Sequence, residues 1–373
     1  MKVWPLAGIT AVASLLVLAH WFVYSTWIGF LPPLAPAALT DLRAVFTVCA
    51  FSFVAATMLS FQSAARVVNW IYVVAATWLG LFNYLFWAAL LTRLVWLVLR
   101  LSAPALATGK VYLIVGLVPV AAAVLVSLYG ILNARIVRVR EHAVTLAGLP
   151  AAWRGRRALL MSDIHLGHVN GVGFARRLVR MANQLKPDVI FLPGDLFDGG
   201  RIHVEQMLEP FRALHAPLGK FFSSGNHDEF GDMDHYTRAI EQVGICVLRN
   251  QAVDVEGLRI LGVDYGDSVS PVRMQALLQT LVPDPAEASV LLNHVPSRLP
   301  ISAAAGISLH LSGHTHGGQF APFTWITRRI FGPYTHGLTH FGAMTVYTST
   351  GAGAWGPPMR VGTQSEIVVL RFV

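Results

Sequence analysis

Cysteine is almost absent: Cys49 and Cys246 are the only two in 373 residues, one in an apolar run and one in an ordinary globular segment. A disulfide framework is therefore excluded, and the compartment stays open. Acid is missing from the first part of the chain. Between Met1 and Arg140 only Asp41 is acidic, against nine Lys or Arg, whereas the remainder holds nineteen residues of each sign. The formal charge of +8 arises wholly in that first part. Its basic residues flank apolar runs and the second part is balanced, so the charge marks no nucleic-acid surface and no nucleic-acid partner is expected. Charge is also missing from the middle of every long apolar run, and His20 lies nearer an end. Nothing there marks an ion or proton path, which removes the best sign of a transporter or channel.

What is abundant is apolar sequence. A helix needs about 20 mostly apolar residues to cross the hydrocarbon core, because lipid offers backbone groups no partner. Four runs qualify, approximately 6–28, 44–61, 67–91 and 111–132, separated by Pro32-Pro33, by 62–66, and by the stretch carrying Arg93, Arg100 and Lys110. The first run is longer than a signal-peptide core and three more follow, so it is read as a span and not as a cleaved leader. Trp4, Trp21, Trp27, Trp70, Tyr72, Trp96 and Tyr112 lie toward run ends, as interfacial aromatics do. Four spans place both ends of the region on one side. Lys2, Arg66, Arg135, Arg138 and Arg140 lie on that side, with Arg154, Arg156 and Arg157 just beyond, against Arg43, Arg93, Arg100 and Lys110 on the other. The positive-inside rule then favours a cytoplasmic second domain. Residues 1–136 are expected to be a four-helix transmembrane domain and residues 137–373 a second, water-facing one.

In that second domain short apolar runs end abruptly in polar clusters. The run 158–161 leads into Asp163 and His165, 189–192 into Gly194-Asp195 and Asp198, and 220–223 into Gly225-Asn226-His227-Asp228. Further on, 289–292 leads into Asn293-His294, and 307–311 into Gly313-His314-Thr315-His316-Gly317-Gly318. Runs of four or five apolar residues fit buried strands, and 174–185, 204–214 and 236–243 have helical spacing. Strands alternating with helices predict an α/β fold with its ligands beyond the strands' carboxyl ends, where all five clusters lie. Asp, His and Asn supply the oxygen and nitrogen donors of a dinuclear hydrolytic site, with Asp195 the natural bridge, and the flanking glycines let tight loops approach the ions. Any one of these clusters also occurs in ordinary turns and caps; their joint order after apolar strands is what selects metal.

The order D-x-H, G-D-x-x-D, G-N-H-D, lone His, G-H-T-H over about residues 137–373 resembles the calcineurin-like metallophosphoesterase family. The G-H-T-H-G-G-Q ending at Gly313–Gln319 and the 351–366 region are similar to its membrane-associated bacterial branch. The resemblance implies two packed mixed β-sheets flanked by helices. It also implies one ion on Asp163, His165, Asp195 and His316, and a second on Asp195, Asn226, His294 and His314. His227 would be the general acid, steadied by Asp198. Gly199 stands where protein phosphatases of the family carry Arg, which argues against that activity, and residues 362–366 depart from a common proline-containing end. Implied is hydrolysis of a phosphate mono- or diester or a pyrophosphate, with two divalent ions polarising the phosphoryl group. Manganese is favoured, with iron and zinc open.

A tether at a bilayer raises encounter with lipids and does little for soluble compounds. The expected partners are therefore membrane lipids and a phosphorylated lipid or lipid-linked substrate, as for the similar UDP-2,3-diacylglucosamine pyrophosphatases of the bacterial inner membrane. The rival is a non-enzymatic metal-binding membrane sensor or assembly factor, which has no need of a leaving-group acid such as His227. His168, His336 and His340 have poorer claims as ligands, the last two being placed in a loop at the rim of the site. Arg328, Arg329 and Arg360 are candidates for a phosphate, with plain solvation the alternative. Phe320, Phe323, Trp325, Ile326 and Phe331 form a segment too short to span and too apolar for a solvated loop, read as a lip at the interface or else as core beneath the second sheet.

Overall fold

The computed structural model describes residues 3–30, 33–282 and 284–373, with side chains from residue 8 onward. Lys2, counted above among the flanking charges, and Pro32 of the first spacer lie outside the described residues. The chain divides into two compact units: Met1–Leu132 with Gly356–Met359, and Asn133–Trp355 with Arg360–Val373.

The first unit is built from α1 (Val3–Phe30), α2 (Pro36–Gln62), α3 (Arg66–Ser102) and α4 (Gly109–Ala134). All four are long and apolar enough to cross a membrane. Each outruns its apolar segment, because Leu, Val and Ala sustain a helix until a breaker intervenes, such as Pro104 just after α3. Arg93 and Arg100, read from sequence as part of a separator, are therefore inside α3. At 1.5 Å per residue the 37 residues of α3 run about 55 Å, well beyond a hydrocarbon core of about 30 Å. Leu15, Leu18, Trp70, Val74, Leu117 and Leu125 are exposed, so these helices are apolar even on faces that no protein covers. His20 is buried in this unit, stacked on Phe82 at 3.6 Å and accepting a hydrogen bond from Trp78 Nε1 at 3.0 Å.

The second unit contains β1 (Val137–Val144), β2 (Arg157–Leu160), β3 (Val189–Pro193), β4 (Lys220–Ser223), β5 (Cys246–Val247) and β6 (Gln251–Val255). The later strands are β7 (Leu258–Gly262), β8 (Ser289–Leu292), β9 (Leu309–Ser312), β10 (Gly337–Phe341), β11 (Met344–Thr348) and β12 (Ser365–Phe372). Helices between them are α5 (Val172–Gln184), α6 (Val204–Leu208), α7 (Met233–Gln242), α8 (Tyr265–Ser268), α9 (Pro271–Leu281), α10 (Leu299–Ala304) and α11 (Phe323–Phe331). The helical spacing over 204–214 resolves into α6 and a 3-10 turn at Glu209–Ala213, because Pro210 lacks the donor that a continuing helix needs.

One sheet has the order β1-β12-β2-β3-β4-β5 and the other β10-β11-β9-β8-β7-β6. Both are mixed: β12 runs antiparallel to β2, and the two outer hairpins β6–β7 and β10–β11 are antiparallel. Period-two alternation makes the layers. Along β2, Ala158 and Leu160 enter the core between the sheets with Phe191, Leu292 and Leu311, whereas Leu159 packs on the other face with Leu178, Leu208 and Ile240 of the helices. The outer face of the second sheet buries Leu261, Leu291 and Val346 under Met274, Leu278 and Leu299. Each such Leu or Phe contributes roughly 1.5–3 kcal/mol on burial. The expected pair of mixed sheets flanked by helices is the architecture found. β2, β3 and β4 are parallel in one sheet and β8 and β9 in the other, so each sheet delivers its polar loops at its carboxyl ends.

Candidate metal centre

Every candidate site residue sits two to five residues past a parallel strand: Asp163 and His165 after β2, Asp195 and Asp198 after β3, Asn226 and His227 after β4, His294 after β8, His314 and His316 after β9. The backbone is forced to turn there. Among the described residues ten non-glycine residues have positive φ, and five of these are Asp163, His165, Asp195, His314 and His316. Left-handed conformations cost such residues of order 1–3 kcal/mol each and persist where surrounding structure over-determines them. Gly313 shows how tight the approach is, since a Cβ there would overlap Ser162 Oγ and Asp163 Oδ2.

Two clusters result, and Asp195 Oδ2 is common to them. In the first, His165 Nε2 lies 3.0 Å from His316 Nε2 and 3.7 Å from Asp195 Oδ2, and His316 Nε2 lies 3.3 Å from Asp163 Oδ1. In the second, His294 Nε2 lies 3.1 Å from Asp195 Oδ2, and His314 Nδ1 lies 2.9 Å from Asn226 Oδ1. The donor set is all oxygen and nitrogen, with no thiolate. The orientations are fixed from behind: His294 Nδ1 donates to the Pro193 carbonyl at 2.9 Å, turning Nε2 inward, and Asp163 accepts from Ser162 Oγ at 2.6 Å and from the His314 amide at 2.9 Å. His165 Nδ1 and Asp198 Oδ1 approach to 3.2 Å, and His294 Nε2 is close to Asp195, yet none of His165 Nδ1, Asp198 Oδ1 or His294 Nε2 makes a well-formed hydrogen bond. Buried lone pairs converging at 3–4 Å without hydrogen-bond geometry are what a pair of divalent ions satisfies. Asp163–His165–His316 and Asp163–Asp195–His294 are both groupings able to hold an ion.

Charge is distributed unevenly. Burial alone would push the Asp195 carboxyl up, but His294, His165 and His227 hold it well below the usual range. Its partner His294 is opposed by burial and held up by Asp195 and Asp163 at about 10. Burial and the charge of His294 push His314 down to about 4, and burial and His165 push His316 well below its ordinary value. The centre thus presents anionic Asp195 paired with a protonated His294, beside neutral His314 and His316; a cation bound at His294 Nε2 would displace that proton.

His227 is in neither of these clusters, but with His165 and Asp195 it forms a third grouping able to hold an ion. Its Nδ1 lies 3.1 Å from the Asp198 carbonyl and 3.8 Å from the Asp198 carboxylate. Asp198 therefore touches His227 chiefly through its backbone, and its carboxylate lies closer to His165. Phe230 and Trp355 flank His227, with ring centroids at 5.2 and 5.7 Å, and both are exposed, so they line the entrance. Trp355 is held by Gln319, which donates to its carbonyl and accepts from its amide.

Three side chains have roles that residue type did not reveal. Asp228 is fully buried and accepts from the amides of Asp195, Gly225 and Phe197 at 2.8, 2.8 and 3.0 Å, tying the β3 loop to the β4 loop. Burial and the neighbouring Asp195 push it up to about 7. Its only signal was its place in G-N-H-D. Arg360, weighed as a solvated phosphate contact, is instead fully buried, donating to the carbonyls of Thr350 and Gly353 at 2.6 Å and of His316 at 3.3 Å. The unusual 362–366 segment serves the same knot: Thr363 Oγ1 donates to the Gln319 carbonyl, and the Gln364 carbonyl accepts from Thr350 and Arg360. His168 is buried, His336 is exposed, and His340, placed from sequence in a loop, is an exposed residue of β10 paired with Thr345 of β11. Arg328 and Arg329 are exposed on α11.

Known proteins match part of this chain. Residues 156–318 match the model of the calcineurin-like phosphoesterase family. A transmembrane protein with a metallophosphoesterase domain from Danio rerio is 32% identical over 264 residues, covering 65% of this chain and 59% of that one. An uncharacterized metallophosphoesterase from Helicobacter pylori is 31% identical over 224 residues, covering 58% of this chain and 60% of that one. Another from Aquifex aeolicus is 29% identical, covering 66% of this chain and 96% of that one. The chain thus spans about 60% of the length of the first two relatives. A dimetal phosphatase structure from Danio rerio is 10% identical, covering 53% of this chain and 88% of that one at a TM-score of 0.36. The segment from β2 to the G-H-T-H loop, which supplies all the clustered Asp, Asn and His side chains, is a calcineurin-like metallophosphoesterase domain that implies divalent metal ions.

Proposed function

We propose that this chain is a membrane-anchored phosphoesterase that hydrolyses a phosphate ester or pyrophosphate bond of a lipid or lipid-linked substrate. The observation that carries the reading is the sharing of Asp195 Oδ2 between two clusters of buried donors, with one further histidine, His227, beside them and at the entrance. Asp163, His165, Asp195 and His316 would hold one ion, and Asp195, Asn226, His294 and His314 the other. When bound, such a pair supplies positive charge to the phosphoryl oxygens and lowers the pKa of an attacking water.

The chain's own residues do the rest. His227 donates from Nδ1 to the Asp198 carbonyl, which leaves Nε2 to carry a proton. As the attacking water gives up a proton to solvent and its oxygen bonds to phosphorus, the bond to the leaving oxygen breaks with its electrons on that oxygen, which takes the proton from His227. Phe230 and Trp355 exclude water around that transfer. A sensor or assembly factor would have no use for an imidazole so placed.

The four membrane-capable helices favour a substrate presented by a bilayer, of which UDP-2,3-diacylglucosamine is one example, and the flanking positive charges favour a domain on the cytoplasmic face of a bacterial inner membrane. Manganese is the favoured ion because the donors are hard or borderline. The test is turnover of an aryl phosphodiester by the full chain in detergent with added manganese, alongside Asp195→Asn. Hydrolysis by the wild type, and loss of both turnover and the second ion in Asp195→Asn, is the expected result. Two bound ions and near-normal turnover in that variant would overturn the assignment, and no turnover by the wild type on any phosphate ester would favour the sensor.

A further inference from the structure

The segment following the G-H-T-H loop, read from sequence as a lip at the interface or as core beneath the second sheet, buries Phe320 and leaves the residues after it half-exposed or exposed. Phe323–Phe331 is the two-and-a-half-turn helix α11, and none of its residues is buried. Its inner side meets the metal loop. A Cβ on Gly318 would lie 2.5 Å from Thr324 Cα, and the ring of Phe331 stands edge-on to His314 at 6.2 Å. At 100° per residue Thr324, Thr327 and Phe331 share that side. Phe323, Ile326 and Ile330 share another, and they are 45%, 41% and 69% exposed. Trp325, 66% exposed, lies a further 100° round the helix from Ile326, with the Arg329 guanidinium over its ring at 5.9 Å, and Arg328 is exposed as well.

A stripe of three large apolar side chains and a tryptophan is costly to leave in water, at roughly 1.5–3 kcal/mol for each such side chain. The charge pattern selects the occupant. α11 has two arginines and no acid, and an exposed Trp-Arg pair beside an aliphatic stripe is the composition of a helix lying in the headgroup region of an anionic bilayer. The same chain also carries four membrane-capable helices, which would bring it to such a surface. We propose that α11 is an interfacial helix, docking through Phe323, Trp325, Ile326 and Ile330 into the outer part of an anionic phospholipid bilayer, with Arg328 and Arg329 on lipid phosphates. Because its opposite side touches His314, docking would set the metal centre at headgroup depth and restrict it to phosphates of membrane-resident molecules. That consequence for the substrate rests on the phosphoesterase reading; the docking itself does not.

The two arms can therefore fail separately. The full chain with Cys49→Ser and Cys246→Ser would be labelled with a nitroxide at Phe323→Cys, Ile326→Cys or Ile330→Cys, with Val272→Cys on α9, 78% exposed, as a second apolar surface position outside the stripe. It would be reconstituted in vesicles of phosphatidylglycerol and phosphatidylethanolamine. Labels on α11 should collide with oxygen and lose collisions with a water-soluble nickel chelate, the Val272 label should do the reverse, and Arg328→Gln with Arg329→Gln should restore chelate access to α11. Chelate access at all α11 positions equal to that at Val272 would overturn the docking whatever the enzyme does, and protection unchanged in neutral phosphatidylcholine vesicles would overturn the anionic component. In the second arm, Trp325→Glu with Ile330→Glu should lower the ratio of long-chain to head-group phosphate ester turnover. Melting temperature and bound-ion content establish that this variant is folded. An unchanged ratio in folded protein would overturn the substrate restriction alone.

Discussion

His227 and Asp228 are adjacent, yet they serve opposite ends of the chemistry. His227 packs between Phe230 and Trp355 with Nδ1 on the Asp198 carbonyl, and it is proposed as the acid and not as a ligand, so His227→Ala should keep both ions. Alkyl ester hydrolysis should fall by about 10² to 10⁴ and aryl esters should fall less, because only the poor leaving group needs the proton. Loss of metal, or an equal loss on both ester types, would remove it from the acid's role. Asp228 accepts three backbone amides, and in Asp228→Asn one amide group would have to face an N–H donor. A buried donor left without an acceptor costs about 1–3 kcal/mol, so the melting temperature and ion affinity should both drop in that variant. Residue types at strand ends made the ligand clusters legible in the sequence, because Asp, Asn and His are rare as a group in that order. Arg360 was not legible. Its burial depends on carbonyls of Thr350, Gly353 and His316 that only the folded chain brings around one guanidinium, and an arginine in isolation reads as solvated.

Among the elements, β9 illustrates how much a single strand carries. Leu309 and Leu311 fill the core between the sheets, Ser312 donates to the Asn293 carbonyl, and His310 is buried with no well-formed hydrogen bond at either ring nitrogen. Burial pushes His310 down to about 4, only partly offset by the Val295 backbone. An unfolded His310 binds its proton near 6.5, before the folded one does, so folding stability is constant above that pH and declines as pH falls toward 4. The decline attributable to this residue is at most about 3 kcal/mol. His310→Leu should flatten the dependence of melting temperature on pH between 6.5 and 4, and an unchanged slope would mean that other groups dominate it. Element type was legible wherever period was clear, as in β2, β3 and α5. The hairpins β6–β7 and β10–β11 were missed, because β6 and β10 are half-exposed, and the buried β7 and β11 have their apolar runs broken by Arg259 and by Thr345. The end of α3 was missed for a related reason: arginines stop an apolar count but do not stop a helix.

For the whole molecule, a membrane tether changes the concentration that matters. A lipid substrate in mixed micelles should be turned over according to its mole fraction in the micelle, while a soluble aryl ester should follow bulk concentration. A lipid rate that tracks bulk concentration at fixed mole fraction would argue that the four helices serve location only. The order of the first sheet has a separate implication for biosynthesis. β12, the last strand, lies between β1 and β2, and the Ala352 and Gly353 amides reach back to the carbonyls of Ser162 and Asp163. A ribosome that has already delivered α1–α4 and every ligand has still not delivered the strand that joins β1 to the rest or the Arg360 that fastens the His316 loop. With elongation at about 5–20 residues per second, the nascent domain has all its ligands for some seconds before β12 completes its sheet, so capacity to retain metal should be acquired abruptly once β12 has emerged and not gradually as the ligands are made.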